Sequence, residues 1–200
     1  TFKSLAKLET PKMFEEMMLL AKLGNYDALI AAGFAFEYGI NVPRDLYQAV
    51  FLYANAFQIK NNDYTHLKRA AQKLKLNVDD EKMETEPELA ANLVIKEAID
   101  ELIKDAKLGN PIAEARLGIL LTEKCLTQSP VDKEKIKATA LKYLNNSLAN
   151  IDHISIKMSL ARLYIDDGKY KEALKMLSCI ETPEFENMRD YVTFEIAKSL

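Results

Sequence analysis

Apolar residues recur at spacings of three and four along most of this chain, and strict alternation of apolar and polar residues is absent. The first pattern predicts amphipathic helices, whereas the second would predict strands. Only six glycines and six prolines punctuate the 200 residues, which favours long helices joined by few turns. The sequence therefore predicts an all-α protein. We expect its helices over 11–23, 26–38, 44–59, 63–75, 87–108, 111–124, 132–149, 153–166, 169–180 and 183–199.

One five-residue segment occurs twice and indicates an internal repeat. The segment 21–25 is repeated letter for letter at 106–110, an offset of 85. Gly24 and Gly109 suit the left-handed residue that closes a helix, and the asparagine after each suits the N-cap of the next helix. Later alanines match only at an offset of 91, so we expect about six inserted residues in the first inter-helix loop of the second half, around 127–133.

Further punctuation is typical of a series of helical hairpins. Prolines follow Thr10, Glu86 and Thr182 where helices are predicted to begin, and Asp63 and Asp152 suit N-caps. Between these elements, the stretch 79–88 contains six acidic residues and one lysine without apolar periodicity. We interpret 76–88 as a solvated acidic linker that interrupts the helix pairing.

Small and aromatic residues follow a distinctive spacing in the first half. These positions are Gly24, Ala28, Ala32, Gly33, Phe36, Gly39, Val42, Asp45, Ala49, Tyr53 and Ala56. Their pattern closely resembles the Sel1-like repeat, a variant of the tetratricopeptide repeat. Asn41 stands where that family has the second loop glycine, and asparagine tolerates a positive φ better than other non-glycine residues.

The second half resembles the same group of repeats more distantly. The positions Ala161, Tyr164, Gly168, Tyr170, Ala173 and Leu177 resemble a plain tetratricopeptide repeat, while 109–148 resembles a degenerate Sel1-like unit that keeps Gly109, Ala113 and Gly118. The resemblance implies a right-handed α-solenoid of antiparallel helix pairs. It implies one repeat domain over 1–200, with an N-terminal helix (11–23), repeats over 26–75 and 89–180, and a C-terminal capping helix within 181–200.

The resemblance also assigns a binding face, because the first helix of each tetratricopeptide-like pair lines a concave surface. The residues assigned to this face are Ile30, Phe34, Tyr38, Tyr64, Leu67, Ala115, Ile119, Met158 and Arg162. This row is unusually apolar and aromatic for a solvent face, and exposed apolar patches mark interaction sites. We expect either a protein or peptide partner in this groove, or another part of the same protein, such as the helix 11–23.

Charge and hydropathy exclude two kinds of partner. The 27 basic and 30 acidic residues leave a net charge of −3, which opposes binding to a phosphate backbone, so we expect no nucleic-acid partner. No stretch reaches the ~20 apolar residues of a membrane span.

The chain begins at Thr1 without an initiator methionine or an apolar leader, which favours a fragment or a processed form. The excess of Lys, Asn and Ile favours a bacterial source.

The residues that carry most metal and cofactor chemistry are few and scattered. His66 and His153 lie far apart and outside any metal-binding motif, and Cys125 and Cys179 suit buried free thiols. The sequence contains neither a glycine-rich phosphate loop nor a G-x-S-x-G motif. We therefore expect no metal, no cofactor and no catalytic residue.

Three acidic pairs are the remaining candidates for acid–base chemistry. They lie at 15–16, 79–80 and 166–167. Adjacent residues on a helix point about 100° apart, and each pair has polar neighbours, so we interpret all three as solvated faces.

These observations favour a non-catalytic scaffold or adaptor that presents a concave groove, as a monomer or as part of a longer array. The alternative is a regulatory repeat domain of a larger protein whose catalytic part lies elsewhere. By resemblance, bacterial Sel1-like proteins include exported host-interaction and virulence-associated proteins and regulators of cell-wall enzymes. The resemblance therefore favours an exported or periplasmic protein over a cytoplasmic one.

Overall fold

The computed structural model of the protein describes residues 11–60, 63–127, 132–178, 180 and 186–198. All regular secondary structure in these ranges is helical, which confirms the predicted all-α class. The helices are α1 (Pro11–Lys22), α2 (Tyr26–Tyr38), α3 (Leu46–Ile59), α4 (Thr65–Lys73), α5 (Asp80–Thr85), α6 (Pro87–Lys107), α7 (Pro111–Thr127), α8 (Lys133–Leu148), α9 (Ile154–Asp166), α10 (Tyr170–Leu177) and α11 (Glu186–Lys198).

The chain divides into two compact units, 1–102 and 103–200. In the first unit, α1 packs on α2, α2 on α3 and α3 on α4. In the second unit, α7 packs on α8, α9 packs on both of them, and α10 lies between α9 and α11. Within each unit, the consecutive helices named here are thus packed as neighbours. The division falls inside α6, whereas the sequence placed the interruption at 76–88.

The repeated five-residue segment forms the same turn in both units. Gly24 and Gly109 take left-handed φ values of 81° and 83°, a conformation in which glycine has no steric penalty. Asn25 and Asn110 then cap the next helix, since the side-chain oxygen of each accepts a hydrogen bond from the backbone N–H three residues later, at 3.0 Å and 3.3 Å. The identical letters therefore encode one local structure twice.

The loop between α2 and α3 also follows the predicted chemistry. Gly39 and Asn41 have φ values of 71° and 60°, so asparagine does occupy a left-handed position. Asp45 caps α3, because its Oδ1 accepts a hydrogen bond from the backbone N–H of Gln48 at 3.0 Å. Gly168, before α10, has a φ of 68°.

Two glycines let helices approach more closely than any side chain allows. A Cβ added to Gly33 of α2 would lie 2.5 Å from Cε1 of Tyr53 on α3. A Cβ added to Gly118 of α7 would lie 2.7 Å from Cγ of Leu144 on α8. The two glycines are related by the offset of 85, and Tyr53 and Leu144 by the offset of 91. The same crossing therefore occurs in both units.

Small residues at the other repeat positions are buried as well. Ala28 is 7% exposed. The remaining ones are fully buried, and they are Ala49, Ala113, Ala140, Ala161 and Ala173. A larger side chain at such positions would overpack the helix contacts.

The prediction of a solvated linker over 76–88 is wrong in part. This stretch contains α5, which Asp79 caps by accepting a hydrogen bond from the backbone N–H of Lys82 at 3.1 Å. Met83 is 1% exposed and belongs to the core of the first unit. A single apolar residue creates no periodicity in the sequence, yet one buried methionine is enough to anchor so short a helix.

The helix starts correct two predicted caps. His153 caps α9 by accepting a hydrogen bond from the backbone N–H of Ser155 at 3.3 Å, a role that the sequence assigned to Asp152. The N-cap of α4 is Tyr64 rather than Asp63, although Asp63 accepts a hydrogen bond from the backbone N–H of Thr65 at 2.9 Å.

Two predicted features fall outside the described residues. They are most of the inserted loop, at 128–131, and the proline-led helix start at 182–183. The described part of α11 begins at Glu186, and α7 extends to Thr127, beyond its predicted end at 124.

Replacing either crossing glycine with alanine should destabilise the protein. Alanine is the better helix former by about 1 kcal/mol. Its Cβ would nevertheless overlap a buried side chain, so we expect Gly33→Ala and Gly118→Ala each to lose about 1 to 3 kcal/mol of unfolding free energy. Urea unfolding followed by circular dichroism measures the loss.

The matched control is Glu123→Ala, at an exposed position of α7, which should leave the unfolding midpoint unchanged. Equal midpoints for the glycine variants and the control would show that the helices do not cross at Gly33 and Gly118.

Candidate protein-binding surface

Side chains one turn apart on two helices form the candidate surface of the first unit. Phe34 and Tyr38 lie one turn apart on α2. His66, Arg69 and Lys73 lie at spacings of three and four on α4. Such spacings place side chains on one face of a helix. We call these five residues the aromatic–cation surface.

Aromatic rings form the body of this surface. The rings of Phe34 and Tyr38 stack with their centroids 5.2 Å apart, and the ring of His66 meets Phe34 edge-on at 5.4 Å. His66 in turn stacks on Tyr53 at 5.4 Å. Tyr38 is 48% exposed, so a large aromatic ring is available to a partner and is supported from below by other rings.

Two cations lie over the outer rings. The guanidinium carbon of Arg69 is 4.9 Å from the centroid of Phe34, and the Nζ atom of Lys73 is 4.5 Å from the centroid of Tyr38. Both distances are within the range of a cation–π interaction. About a third of each cationic side chain is exposed.

A buried carboxylate holds the two cations in place. Glu37 of α2 is fully buried, and its Oε1 accepts hydrogen bonds from Arg69 Nε and Lys73 Nζ, both at 2.8 Å. Its Oε2 accepts hydrogen bonds from Arg69 Nη2 at 2.7 Å and from the hydroxyl of Tyr53 at 2.8 Å. Each carboxylate oxygen therefore accepts two hydrogen bonds from side chains of the protein.

These bonds determine the charge of the cluster. Burial alone would raise the pKa of Glu37, but the hydrogen bonds from Arg69, Lys73 and Tyr53 outweigh it and lower the pKa from 4.5 to about 2. Burial and the neighbouring Glu37 raise the pKa of the Tyr53 hydroxyl, which stays protonated. At neutral pH one anion thus faces two cations, and the cluster has a net charge of +1.

His66 contributes a ring rather than a charge at neutral pH. Its Nδ1 is buried and has no hydrogen-bond partner among the described residues. Burial, and next the charge of Arg69, lower its pKa from 6.5, although Asp63 and Glu37 act in the opposite direction.

A surface groove adjoins the aromatic–cation surface at Arg69. Its volume is about 410 Å³. The groove is lined by Asp63, Tyr64, Thr65, Lys68, Arg69 and Gln72. The side chain of Arg69 is thus shared between the stacked rings and this groove.

The structure rearranges the predicted row within the first unit. Tyr38 is exposed, and Ile30, Phe34 and Tyr64 are half-buried. Leu67 is only 1% exposed, so its assignment to the binding face is wrong.

The correction to Leu67 follows from how α4 packs. Leu67, Ala70 and Ala71 are the buried residues of α4, and the helix packs on α3. His66, Arg69 and Lys73, which were not predicted, lie beside this buried stripe, where they contact α2 and α3. Their spacing of three and four next to an apolar stripe is the signal that could have found them.

The remaining predicted residues belong to the second unit. Ala115, Ile119 and Met158 are half-buried and pack against that unit's core, whereas Arg162 is exposed. The aromatic–cation surface lies in the first unit alone.

The acidic pair Asp166 and Asp167 is partly exposed, but both carboxylates are paired with lysines, which the prediction of a solvated face did not include. Lys137, which is 5% exposed, lies 2.9 Å from Asp166 and also pairs with Asp167, and Lys133 lies 2.6 Å from Asp166. These lysines lower the pKa values of both carboxyl groups. The other pairs differ: Asp79–Asp80 is exposed.

The glutamate pair at 15–16 is described only for Glu16, which is exposed. Of the cysteines, Cys125 is a buried free thiol whose pKa burial raises. A thiol with a raised pKa is a poor nucleophile. Cys179 lies outside the described residues.

The described ranges contain neither a cluster of metal ligands nor a membrane-spanning helix. No group of three or more His, Cys, Asp or Glu side chains there could hold a metal ion. Among the described helices, none combines the length and the apolar character needed to cross a bilayer.

Comparison with known proteins does not extend this description. No family model matches the chain, and neither the curated proteins nor the solved structures contain a significant match to it. The resemblance to Sel1-like repeats therefore rests on the residues quoted above.

Replacing Glu37 should remove a distinct part of the protein's acid sensitivity. Because folding lowers the pKa of this carboxyl, its contribution is complete above pH 4.5 and is lost as the pH falls towards 2. Glu37→Gln should therefore lose up to about 3 kcal/mol of unfolding free energy at pH 7 and become less dependent on pH below 4.5. Glu16→Gln, the same substitution at an exposed position, should change neither the unfolding free energy nor its pH dependence. Urea titrations at several pH values measure both quantities.

The stability that His66 contributes should depend on pH in a higher range than the contribution of Glu37. Because folding lowers its pKa below 6.5, its contribution is complete above that pH and is lost as the pH falls from 6.5 through the lower value in the folded state. His66→Phe keeps a ring in the stack but cannot ionise, so it should lose less stability between pH 8 and pH 5. Thermal unfolding midpoints measure this loss.

An exposed residue of the same helix that cannot ionise provides the control. Gln72→Ala should leave the pH dependence unchanged. An unchanged slope for His66→Phe would mean that the ring of His66 is not buried against Tyr53.

Proposed function

We propose that this chain is a non-catalytic protein-interaction scaffold and that its aromatic–cation surface binds a protein or peptide partner. The observation that carries the proposal is the exposed ring of Tyr38, stacked on Phe34 and flanked by two cations. Aromatic and arginine side chains supply most of the energy at protein interfaces.

Preorganisation supports the same conclusion. Long side chains normally lose rotamer freedom when they bind a partner, which weakens binding. Here Glu37 already holds Arg69 and Lys73 through three hydrogen bonds, and the stacked rings support Tyr38. Much of the entropic cost of ordering this surface is therefore met when the protein folds.

The titratable groups of the surface favour binding over catalysis. Glu37 is ionised, and its two oxygens are occupied by four hydrogen bonds. The Nδ1 of His66 is buried. A general acid or base must reach the proton that it transfers, and neither group is presented to a substrate in that way.

We further propose that the helix pairs are Sel1-like, tetratricopeptide-like repeats of a right-handed α-solenoid. The glycine crossings at Gly33 and Gly118 support this proposal, since they recur at the repeat offset. Stacked repeats of this kind present extended binding surfaces. The expectations of an exported bacterial protein and of a longer array rest on the resemblance and stay predictions.

A random-peptide display library panned against the intact chain tests the proposed binding. Truncating an interface anchor costs about 2 kcal/mol or more, so Tyr38→Ala should weaken the selected peptides by about 30-fold. Tyr191→Ala is the matched control, because Tyr191 is also 48% exposed but lies in the second unit. Fluorescence anisotropy with labelled peptides measures both affinities.

Folding must be followed in parallel. Tyr38→Ala should lower the unfolding midpoint much less than Leu67→Ala, which truncates a core side chain. Peptides that bind Tyr38→Ala as tightly as the unchanged chain would remove the surface from the proposal.

A further inference from the structure

The charge of the aromatic–cation surface is opposite to that of the chain as a whole. The chain has a net charge of −3, whereas Arg69 and Lys73 outnumber their single buried counter-ion. Because Glu37 is fully buried beneath them, the two charges that reach solvent at this surface are both positive. A ligand that approaches the ring of Tyr38 therefore meets cations first.

The adjoining groove adds N–H donors but no net positive charge. Lys68, Arg69 and Gln72 line it with N–H groups. Its own carboxylate, Asp63, accepts hydrogen bonds from Thr65 rather than standing free. The nearby Asp80 is paired with Lys68 at 2.6 Å.

We propose that the bound segment of the partner is an acidic peptide, in which an Asp or Glu side chain pairs with Arg69 and Lys73 while a neighbouring aromatic or apolar side chain packs on Tyr38. This inference rests on the proposed function and names the chemistry of its partner. The two cations favour a carboxylate because its charge is opposite to theirs. The ring of Tyr38, which is 48% exposed, favours an apolar side chain next to that carboxylate.

The geometry also determines how strong the carboxylate contact is. Arg69 already uses Nε and Nη2 for Glu37, so it offers an incoming carboxylate only its outer N–H groups. The Nζ of Lys73 donates one hydrogen bond to Glu37 and has two further donors. The new ion pair is therefore partly exposed and modest, and it supplements the apolar contact rather than replacing it.

An acidic peptide fits this surface better than a long polyanion does. A nucleic acid or an anionic membrane extends far beyond the cluster and would meet a chain whose net charge is negative. One peptide carboxylate needs only the two local cations.

Matched synthetic peptides test this inference. Peptides selected on the display library are made in two forms, with each Asp or Glu kept or replaced by Asn or Gln. Fluorescence anisotropy should show about tenfold weaker binding of the amide forms at low salt, and the difference should shrink as salt rises.

Variants of two lysines locate the preference on the surface. Lys73→Gln removes one of the two cations, while Arg69 stays bound to Glu37, so it should reduce the difference between acid and amide peptides. Lys73→Arg should keep the full difference. Lys82→Gln removes the same charge from an exposed position of α5 and should keep the full difference. Unfolding midpoints confirm that each variant is folded.

The outcomes separate the two proposals. Equal binding of acid and amide peptides, with loss of binding in Tyr38→Ala, would overturn the acidic partner and leave the proposed function standing. A preference that is undiminished in Lys73→Gln would overturn the assignment to this surface. Tighter binding of oligodeoxythymidylate or of phosphatidylserine vesicles would overturn it in favour of those ligands. If no peptide binds, both proposals fail.

Discussion

The arrangement of the first unit depends on one buried carboxylate. Glu37 of α2 can remain ionised in the interior only because Tyr53 of α3 and the cations Arg69 and Lys73 of α4 donate to it. An unpaired buried charge would cost several kcal/mol. The requirement for pairing therefore sets the positions of three helices relative to each other, and the same bonds hold two cations at the solvent boundary beside Tyr38.

The second unit shows that the helix crossing does not need this carboxylate. Its helices approach each other as closely at Gly118 as those of the first unit do at Gly33. The repeat offsets relate Glu37, Tyr53, Arg69 and Lys73 to Thr122, Leu144, Leu160 and Tyr164, which cannot form the same ion pairs. That unit instead buries one cation, Lys137, against the carboxylates at the end of α9. The crossing is thus a property of the repeat, while the aromatic–cation surface belongs to one copy of it.

Local physics made much of the fold predictable from the sequence. Three signals act within a few residues: helix periodicity, the glycines that close helices and the asparagines that open them. The sequence alone is therefore sufficient to place most helices of the described chain. The glycine crossings also followed from the internal repeat, because a residue without a Cβ at two equivalent positions indicates close packing. Phe34 and Tyr38, by contrast, became candidates on α2 through the resemblance to tetratricopeptide-like repeats.

The tertiary structure alone decided which charges are buried and what covers each helix face. The apolar stripe of Leu67, Ala70 and Ala71 indicates the buried face of α4 within the sequence, but that stripe does not show that α3 covers it. Glu37 is separated from Arg69 and Lys73 by 32 and 36 positions, so no local pattern shows that this glutamate is the buried partner of both cations. Met83 is similar, since one apolar residue among acids reveals its burial only through the core that receives it. Burial depends on distant neighbours, and the sequence of a single helix does not contain them.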